Sequence, residues 1–210
     1  MARDSTATKA RLLDAAFSEF AAYGIAGARV DRIAEAAQAN KRLIYVYYGN
    51  KEQLFDVVLQ RALETGSESV PFDAEDLPAY AGSVFDHLVA RPSLMRLVQW
   101  KQLERPGFPE AEAASYQGKI EALERAQRAG VVDPALAPAD ILTLVMALSQ
   151  AWFGAVGGPA AGPDGAGWAP ETLARHRAAV VESVRRLVAA PPGTGTGTGT
   201  GPGPGTGTGA

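Results

Sequence analysis

Apolar side chains recur every three or four positions along most of the chain, which is the period of an amphipathic α-helix. The first such stretch carries Leu12, Ala16 and Phe20, and Gly24, a helix-ending residue, follows it. A second, shorter stretch covers residues 30–37. No useful length alternates apolar and polar residues with period two, the pattern of a half-buried strand. The pattern therefore predicts an all-α fold.

Asparagines stand where the third and fourth helices should begin. An Asn side chain caps a helix because its oxygen accepts a hydrogen bond from a free amide of the first turn. Asn40 therefore predicts the start of a two-turn third helix that Gly49 ends. Residues 50–53, Asn-Lys-Glu-Gln, resemble a capping box with Asn in place of Ser. The fourth helix that follows should end at residues 65–67, Thr-Gly-Ser.

Proline and glycine divide the chain beyond Pro71 into further helices. From residue 191 onward only Gly, Thr and Pro precede the final Ala, so this segment has no large apolar side chains to bury and is expected to be disordered. The predicted helices cover residues 74–90, 92–104, 110–129, 137–156 and 170–189. The predicted parts of the chain are an N-terminal domain over residues 1–50, a helical domain over 51–190 and a disordered tail over 191–210.

Composition excludes several kinds of site. There are no cysteines, so disulfides and thiolate metal sites are excluded, which fits a reducing cytoplasm. The two histidines, His87 and His176, lie far apart, and no phosphate loop or hydrolase motif is present. We therefore expect no metal, no cofactor and no enzymatic activity.

The N-terminus lacks the apolar run of a secretory signal, and no segment approaches the roughly 20 apolar residues of a membrane span, so a cytoplasmic protein is expected.

Charge is distributed unevenly along the chain. The formal net charge is −3, but residues 1–52 hold eight Lys and Arg against six Asp and Glu. The remaining residues, 53–210, hold twelve against seventeen. A protein that touches DNA with one small face needs only that face to be positive, so an N-terminal DNA-binding region is compatible with the overall acidity.

Residues 40–52 concentrate the groups that bind nucleic acid. Lys41 and Arg42 open the third helix, and Tyr45 and Tyr47 follow at its far end. Lys51 lies in the first turn of the next helix. Ammonium, guanidinium and phenol groups contact phosphates, and an Arg side chain can donate twice to guanine O6 and N7. The order predicts a helix-turn-helix that reads double-stranded DNA.

The N-terminal quarter of the chain resembles the DNA-binding domain of the TetR family of transcriptional regulators. The resemblance covers residues 9–55 and is specific because many positions agree at fixed spacing. Beyond residue 55 the chain is similar to the family only in being helical and of suitable length. The matching positions are Leu12-Leu13-Asp14-Ala15-Ala16, Phe17, Phe20, Gly24, Gly27, Val30, Ile33-Ala34, Ala37, Ile44-Tyr45, Tyr47-Tyr48, Lys51-Glu52 and Leu54-Phe55.

Several positions depart from the family's usual pattern. Arg29 stands where the family prefers a Thr that caps the second helix and touches phosphate. Gln38 occupies a turn position usually filled by Gly, at a cost on the order of 1 kcal/mol if its backbone is left-handed. Arg42 and Leu43 replace small residues at the tip of the recognition helix. These differences bear on which operator sequence is read.

The resemblance implies a set of DNA contacts. Arg42 would read a G·C pair, Tyr45 and Tyr47 would contact phosphates, and Lys51 would join the free amides of its helix in an anion site. Leu43 would either touch a thymine methyl group or pack within its own domain. The DNA-binding residues expected on this basis are Arg29, Asn40, Lys41, Arg42, Leu43, Tyr45, Tyr47 and Lys51.

The C-terminal region is expected to provide both a ligand pocket and a dimer interface, as the resemblance implies. Aromatic and Met side chains among helices can line an apolar pocket, so a small lipophilic ligand is expected. A lipophilic cation is one candidate, because aromatic faces attract positive charge. The candidate ligand-binding residues are Trp100, Tyr116, Met146, Trp152 and Phe153. Two apolar stripes at helical spacing predict a four-helix dimer interface formed by Ile141, Leu144, Val145, Leu148, Val180, Val184 and Leu187.

The function expected from the sequence is a homodimeric repressor that binds a palindromic operator and is released by its ligand. An activator of the same fold is an alternative that the sequence does not distinguish. A helical enzyme would need paired carboxylates or a His in a pocket, which no motif indicates. A helical module that binds no DNA would leave the cluster of basic and phenol groups in residues 40–52 without a role.

Overall fold

A computed structural model describes residues 2–107, 110–154 and 168–189, with side chains over 5–107, 113–153 and 168–189. Within these ranges the chain forms nine α-helices and no strand, which confirms the all-α prediction. The helices are α1 (Ala2–Gly27), α2 (Val30–Ala36), α3 (Lys41–Tyr48), α4 (Lys51–Ser69), α5 (Leu77–Ala90), α6 (Pro92–Glu104), α7 (Glu110–Arg128), α8 (Pro138–Gly154) and α9 (Pro170–Val188). The predicted tail and residues 155–156 of the predicted eighth helix lie outside the described residues.

Three helix boundaries differ from the sequence prediction. The helix predicted from residue 74 begins at Leu77, because the Asp76 side chain caps it by accepting from the Ala79 amide at 3.0 Å. Gly24 has the non-helical dihedral angles φ 69° and ψ −173°, but one further turn follows it and ends at Gly27. The fourth helix passes through Gly66 because the Val70 amide donates to the Gly66 carbonyl at 3.0 Å. The Ser69 hydroxyl donates to the Thr65 carbonyl in the same turn. The predicted end at residues 65–67 is therefore wrong by two residues.

The N-terminal core is built from α1 to α4 together with Leu97 and Val98 of α6. Phe20 of α1 meets Phe55 of α4 edge to face, with ring centroids 5.2 Å apart. Ile33 of α2, Ile44 of α3 and Leu97 of α6 are fully buried in the same cluster. Each helix therefore contributes its apolar side to one core, and the opposite sides of α2 and α3 face outward.

The second core lies among α5, α7, α8 and α9. Phe85 of α5, Leu123 of α7, Leu142 of α8 and Val184 of α9 are buried in it. A smaller cluster around Leu88, at the α5–α6 turn, lies beside residues of α4 and α8. The α5–α6 region thus links the helices that carry the DNA-binding motif to the C-terminal helices.

Candidate DNA-binding surface

The turn between α2 and α3 has the strained residue that the sequence indicated. Gln38 has φ 50°, and no other non-glycine residue in the described ranges has a positive φ. Its amide donates to the Glu35 carbonyl, and the Ala39 amide donates to the Ala34 carbonyl, both at 3.0 Å. These bonds end α2 and turn the chain into α3, so the left-handed conformation has a definite structural role. Its cost is on the order of 1 kcal/mol.

The start of α3 presents Arg42 to solvent. The Asn40 side chain caps the helix by accepting from the Arg42 amide at 2.8 Å, as predicted. Ile44 is fully buried and fixes the rotation of the helix. Arg42 and Tyr45 are consequently exposed, and among the described residues none accepts a hydrogen bond from the Arg42 guanidinium. Leu43 is half-buried against the N-terminal core, which favours the packing role for it.

Lys41 is paired with a carboxylate of the preceding helix. Its ammonium lies 2.7 Å from the Asp31 carboxylate, and the two side chains are 45% and 76% exposed, respectively. The hydrogen bond to Asp31 raises the pKa of Lys41 because it stabilises the charged ammonium. The sequence predicted Lys41 as a DNA contact but gave no sign of this partner.

The far end of α3 lies beside the start of α1. The Lys9 ammonium is 4.9 Å from the centroid of the Tyr47 ring, and the Tyr48 hydroxyl donates to the Lys9 carbonyl at 3.2 Å. Tyr47 is half-buried, whereas Tyr45 is 48% exposed. Burial raises the pKa of Tyr48, which fits its packing role. The structure therefore places Lys9, which the sequence analysis did not select, next to two of the phenols.

Lys51 and Arg29 each make a hydrogen bond at the loop before α2. The Lys51 ammonium donates to the carbonyls of Ala26 at 3.5 Å and Ala28 at 3.3 Å. An ammonium has three N–H groups, so Lys51 can bond both carbonyls and still donate one hydrogen bond to a phosphate. The Arg29 side chain is exposed, while its amide donates to the carboxylate of the buried Glu19 at 2.8 Å. Glu19 also accepts from Arg32 at 2.8 Å and so joins α1 to α2.

One face of α6 binds the interruption in α1. Arg96 donates to the carbonyls of Ala21 and Ala22 at 3.0 and 3.2 Å. The Glu104 carboxylate accepts from the amides of Ile25 and Ala26 at 2.7 and 3.1 Å. Trp100 lies between them: a β-carbon added to Gly24 would be 2.8 Å from its ring. We call Arg96, Trp100 and Glu104 the α6 clamp, since together they hold both sides of the break at Gly24.

Comparison with known proteins identifies the arrangement. The model of bacterial regulatory proteins of the tetR family matches residues 12–58. The model of the tetracyclin repressor-like C-terminal domain matches residues 76–186. The chain is 43% identical over 176 residues to the HTH-type transcriptional repressor SCO4008 of Streptomyces coelicolor, which covers 78% of this chain and 91% of that protein. The chain belongs to the TetR family.

Two further relatives of different kinds agree with this assignment. The putative transcriptional regulator SCO4942 of Streptomyces coelicolor has a crystal structure that superposes with a TM-score of 0.74 at 38% identity, covering 88% of this chain and 99% of that one. The HTH-type transcriptional repressor NicS of Pseudomonas putida is 27% identical over 111 residues, about half of each chain. This TetR-family protein is a DNA-binding transcriptional repressor and not an enzyme.

Four of the five predicted ligand-binding residues of this TetR-family chain pack against the second core, and Trp100 does not. Trp100 lies in the α6 clamp against α1. Trp152 and Phe153 of α8 lie against Phe85, with ring centroids 6.4 and 5.6 Å apart. Met146 accepts from the Tyr80 hydroxyl at 3.7 Å. Tyr116 of α7 lies 2.9 Å from the Thr143 hydroxyl of α8.

The aromatic group continues into α9 and the segment before it. The ring of His176 lies between Trp152 and Trp168, with centroid separations of 4.6 and 4.7 Å. Phe153 also faces Trp168, at 6.3 Å. Burial lowers the pKa of His176, and the nearby Arg175 charge lowers it further. A lowered pKa favours the neutral form of the imidazole that lies between the indoles.

Two surface clefts lie elsewhere in the chain. A cleft of about 250 Å³ lies where α1 and α4 meet the α5–α6 turn, with Phe17, Val58 and Leu94 in its wall. A larger one, of about 590 Å³, opens on the outer side of α1 and α2. None of the five predicted ligand-binding residues lines either cleft.

Most of the residues predicted for the dimer interface are inside the single chain. Four of them are at most 1% exposed because α8 and α9 use these faces to pack against α5 and α7. This corrects their assignment to a surface. Leu148 and Leu187 are half-buried, and only Leu144 is exposed, at 40%. The four buried residues are Ile141, Val145, Val180 and Val184.

The described part of the chain adds two observations on other partners. Its side chains include no group of three or more His, Asp or Glu arranged to hold a metal ion. Of the helices in the described ranges, none combines the length and the hydrophobicity that a membrane crossing requires.

Proposed function

We propose that this repressor works as a homodimer whose two α3 helices read the half-sites of a palindromic operator, and that a small lipophilic ligand releases it. The observation that carries the proposal is the orientation of α3. Ile44 is fully buried under the helix, and Arg42 and Tyr45 point away from the core. A guanidinium at the first turn of an exposed recognition helix suits a guanine edge in the major groove.

Footprinting on DNA upstream of the repressor's own gene tests the operator part of the proposal. Two recognition helices related by a twofold axis should protect two half-sites centred about 10 base pairs, one helical turn, or a multiple of this, apart. The sequence of the protected region should be an inverted repeat. Protection of one isolated half-site, or equal affinity for operator and scrambled duplex, would contradict the proposal.

The outer faces of α8 and α9 are the surface we propose for dimerisation. On α8, Leu144, Ala147 and Ala151 are exposed at helical spacing. On α9, Ala174 and Ala178 are exposed in the same way. Small side chains allow helices of two subunits to approach closely, and two helices from each subunit can form a four-helix bundle. This face replaces the buried stripes that the sequence suggested.

Leu144→Glu should convert the dimer into folded monomers. A glutamate on a dimer contact would be desolvated beside its symmetry mate, at a cost of several kcal/mol. Sedimentation at micromolar concentration should then show monomers with normal helical content and weak operator binding. Leu103→Glu is the matched control, since Leu103 is 75% exposed on α6. A folded Leu144→Glu variant that stays dimeric would place the interface elsewhere. Val184→Glu is unsuitable because Val184 is fully buried in its own chain.

The aromatic group around His176 is the ligand region we propose. Trp152, Phe153 and Trp168 offer apolar surface and π faces within a few ångströms of one another. The His176 imidazole lies between the two indoles, and its lowered pKa disfavours a positive charge there. Lipophilic compounds, and lipophilic cations above all, fit such a surface.

The α6 clamp offers a route from this region to DNA. Phe153 of α8 packs against the small cluster that contains Leu94 and Met95 at the start of α6. The clamp residues further along α6 hold the interruption of α1, which shares its core with α2 and α3. A ligand that favours one position of α6 would therefore favour one orientation of the DNA-binding helices. The ligand must bind the two states with different affinity, since equal affinity shifts nothing.

A panel of lipophilic cations, matched neutral compounds and matched anions tests the ligand part. Binding near Trp152 and Trp168 should quench tryptophan fluorescence and release the operator at the same concentrations. Full release, from 1:99 to 99:1, requires about 5.5 kcal/mol of differential binding. Trp168→Leu should reduce the quenching by cations more than that by neutral compounds. If cations act no better than matched anions, the proposed preference for positive charge is wrong. If no compound quenches the fluorescence or releases the operator, the proposed ligand region is wrong.

A further inference from the structure

The pair of Asp31 and Lys41 lies on the surface that should face DNA, and stability does not explain it. Its ammonium and carboxylate are 2.7 Å apart, and the Lys41 and Asp31 side chains are 45% and 76% exposed. An exposed pair of this kind contributes about 0.2–1 kcal/mol at most. The two helices that it joins are already held by the buried side chains of Ile33 and Ile44. The position of the pair therefore calls for an explanation in terms of binding.

The pair changes how Lys41 can interact with DNA. A lysine free to move at the first turn of α3 would reach phosphates, which are the same in every sequence. Bound to Asp31, the ammonium is held near the α2 side of the recognition helix, and its charge is offset by the carboxylate beside it. The neighbouring Arg42 has no such partner among the described residues. One cation of the recognition helix is thus restrained while the other remains free to extend.

We propose that Asp31 is a specificity-determining positioning residue: its ion pair with Lys41 withdraws that ammonium from phosphates. Asp31 therefore lowers affinity for DNA of random sequence more than affinity for the operator. The inference rests on the proposed reading of the operator by α3. It adds a residue of α2 that the DNA contacts alone do not identify.

The test compares Asp31→Asn with the unchanged protein on an operator duplex and on a scrambled duplex, over a range of salt concentrations. Freeing one ammonium per subunit should let each neutralise one more phosphate on the scrambled duplex. The slope of log affinity against log salt should then steepen by about 0.9 for each subunit. The ratio of operator affinity to scrambled affinity should fall severalfold.

Two further variants separate this role from a general charge effect. Glu35→Gln removes an exposed carboxylate one turn further along α2 and is the matched control. In a Lys41→Gln background, Asp31→Asn should change neither the slope nor the affinity ratio, because its effect acts through Lys41. Equal effects of Asp31→Asn and Glu35→Gln would overturn the inference, as would an unchanged affinity ratio in Asp31→Asn. An unchanged protein that does not distinguish operator from scrambled DNA would instead overturn the proposed function.

Discussion

Gly24→Ala is expected to destabilise the protein substantially. The dihedral angles at Gly24, φ 69° and ψ −173°, lie in a region that is essentially restricted to glycine. An L-residue held there costs about 1–3 kcal/mol from the backbone alone. The added methyl group would also lie 2.8 Å from the Trp100 ring and 2.7 Å from the Glu104 carboxylate. Thermal unfolding should shift down by about 2–4 °C for each kcal/mol lost.

Gly118→Ala provides the control for that substitution. Gly118 lies inside α7 with ordinary helical geometry, and an added β-carbon would meet nothing within 4 Å. Alanine there should raise stability by about 0.5–1 kcal/mol, since glycine is the poorer helix former. A Gly24→Ala variant as stable as Gly118→Ala would show that the break in α1 is not held as described. If the α6 clamp links the ligand region to DNA, folded Gly24→Ala protein should also respond less to ligand.

Helix boundaries in this chain follow from local chemistry, which explains why the sequence predicts them well. The caps at Asn40 and Asn50 each depend on residues at most three positions away. The same is true of the proline residues at the starts of α6 and α9. At Gly66, where the prediction ended α4 too early, a single glycine was given more weight than the turn of hydrogen bonds around it.

The candidate site could be predicted only in part, because several of its bonds join residues distant in sequence. Glu104 accepts from amides 78 and 79 positions away, and Arg96 donates to carbonyls 74 and 75 positions away. Such partners leave no periodic signal in the chain. Trp100 shows the consequence: an aromatic residue on a helix suggested a ligand pocket, whereas its ring lies against Gly24.

Burial of α8 and α9 shows a second limit of sequence patterns. The stripe that contains Ile141 and Val145 has the right spacing for an interface, but the same spacing suits a helix that faces its own core. Both residues are at most 1% exposed within the single chain. Periodicity therefore identifies the apolar face of a helix but not what covers it.

Arg42→Ala is expected to have the largest effect on operator binding. A good bidentate contact of Arg with guanine contributes about 1–3 kcal/mol of discrimination. The dimer on its two half-sites would therefore lose about 2–6 kcal/mol of binding free energy. Each 1.4 kcal/mol lost lowers the affinity roughly tenfold. Stability should change little because Arg42 is exposed and its amide, not its side chain, takes part in the Asn40 cap.

Base-by-base competition distinguishes base reading from a simple loss of charge. Arg42→Lys keeps the charge but lacks the planar guanidinium. The slope of log affinity against log salt should therefore be unchanged, while the preference for one base pair falls. Arg128→Ala removes an exposed charge on α7 and should change neither the slope nor the base preference. Lys51→Ala should weaken all sequences alike and also lower the melting temperature, because its ammonium binds the loop before α2. If Arg42→Ala kept the base preference of the unchanged protein, the guanidinium would be contacting phosphate, and the specificity of α3 would have to come from Lys41 and Tyr45.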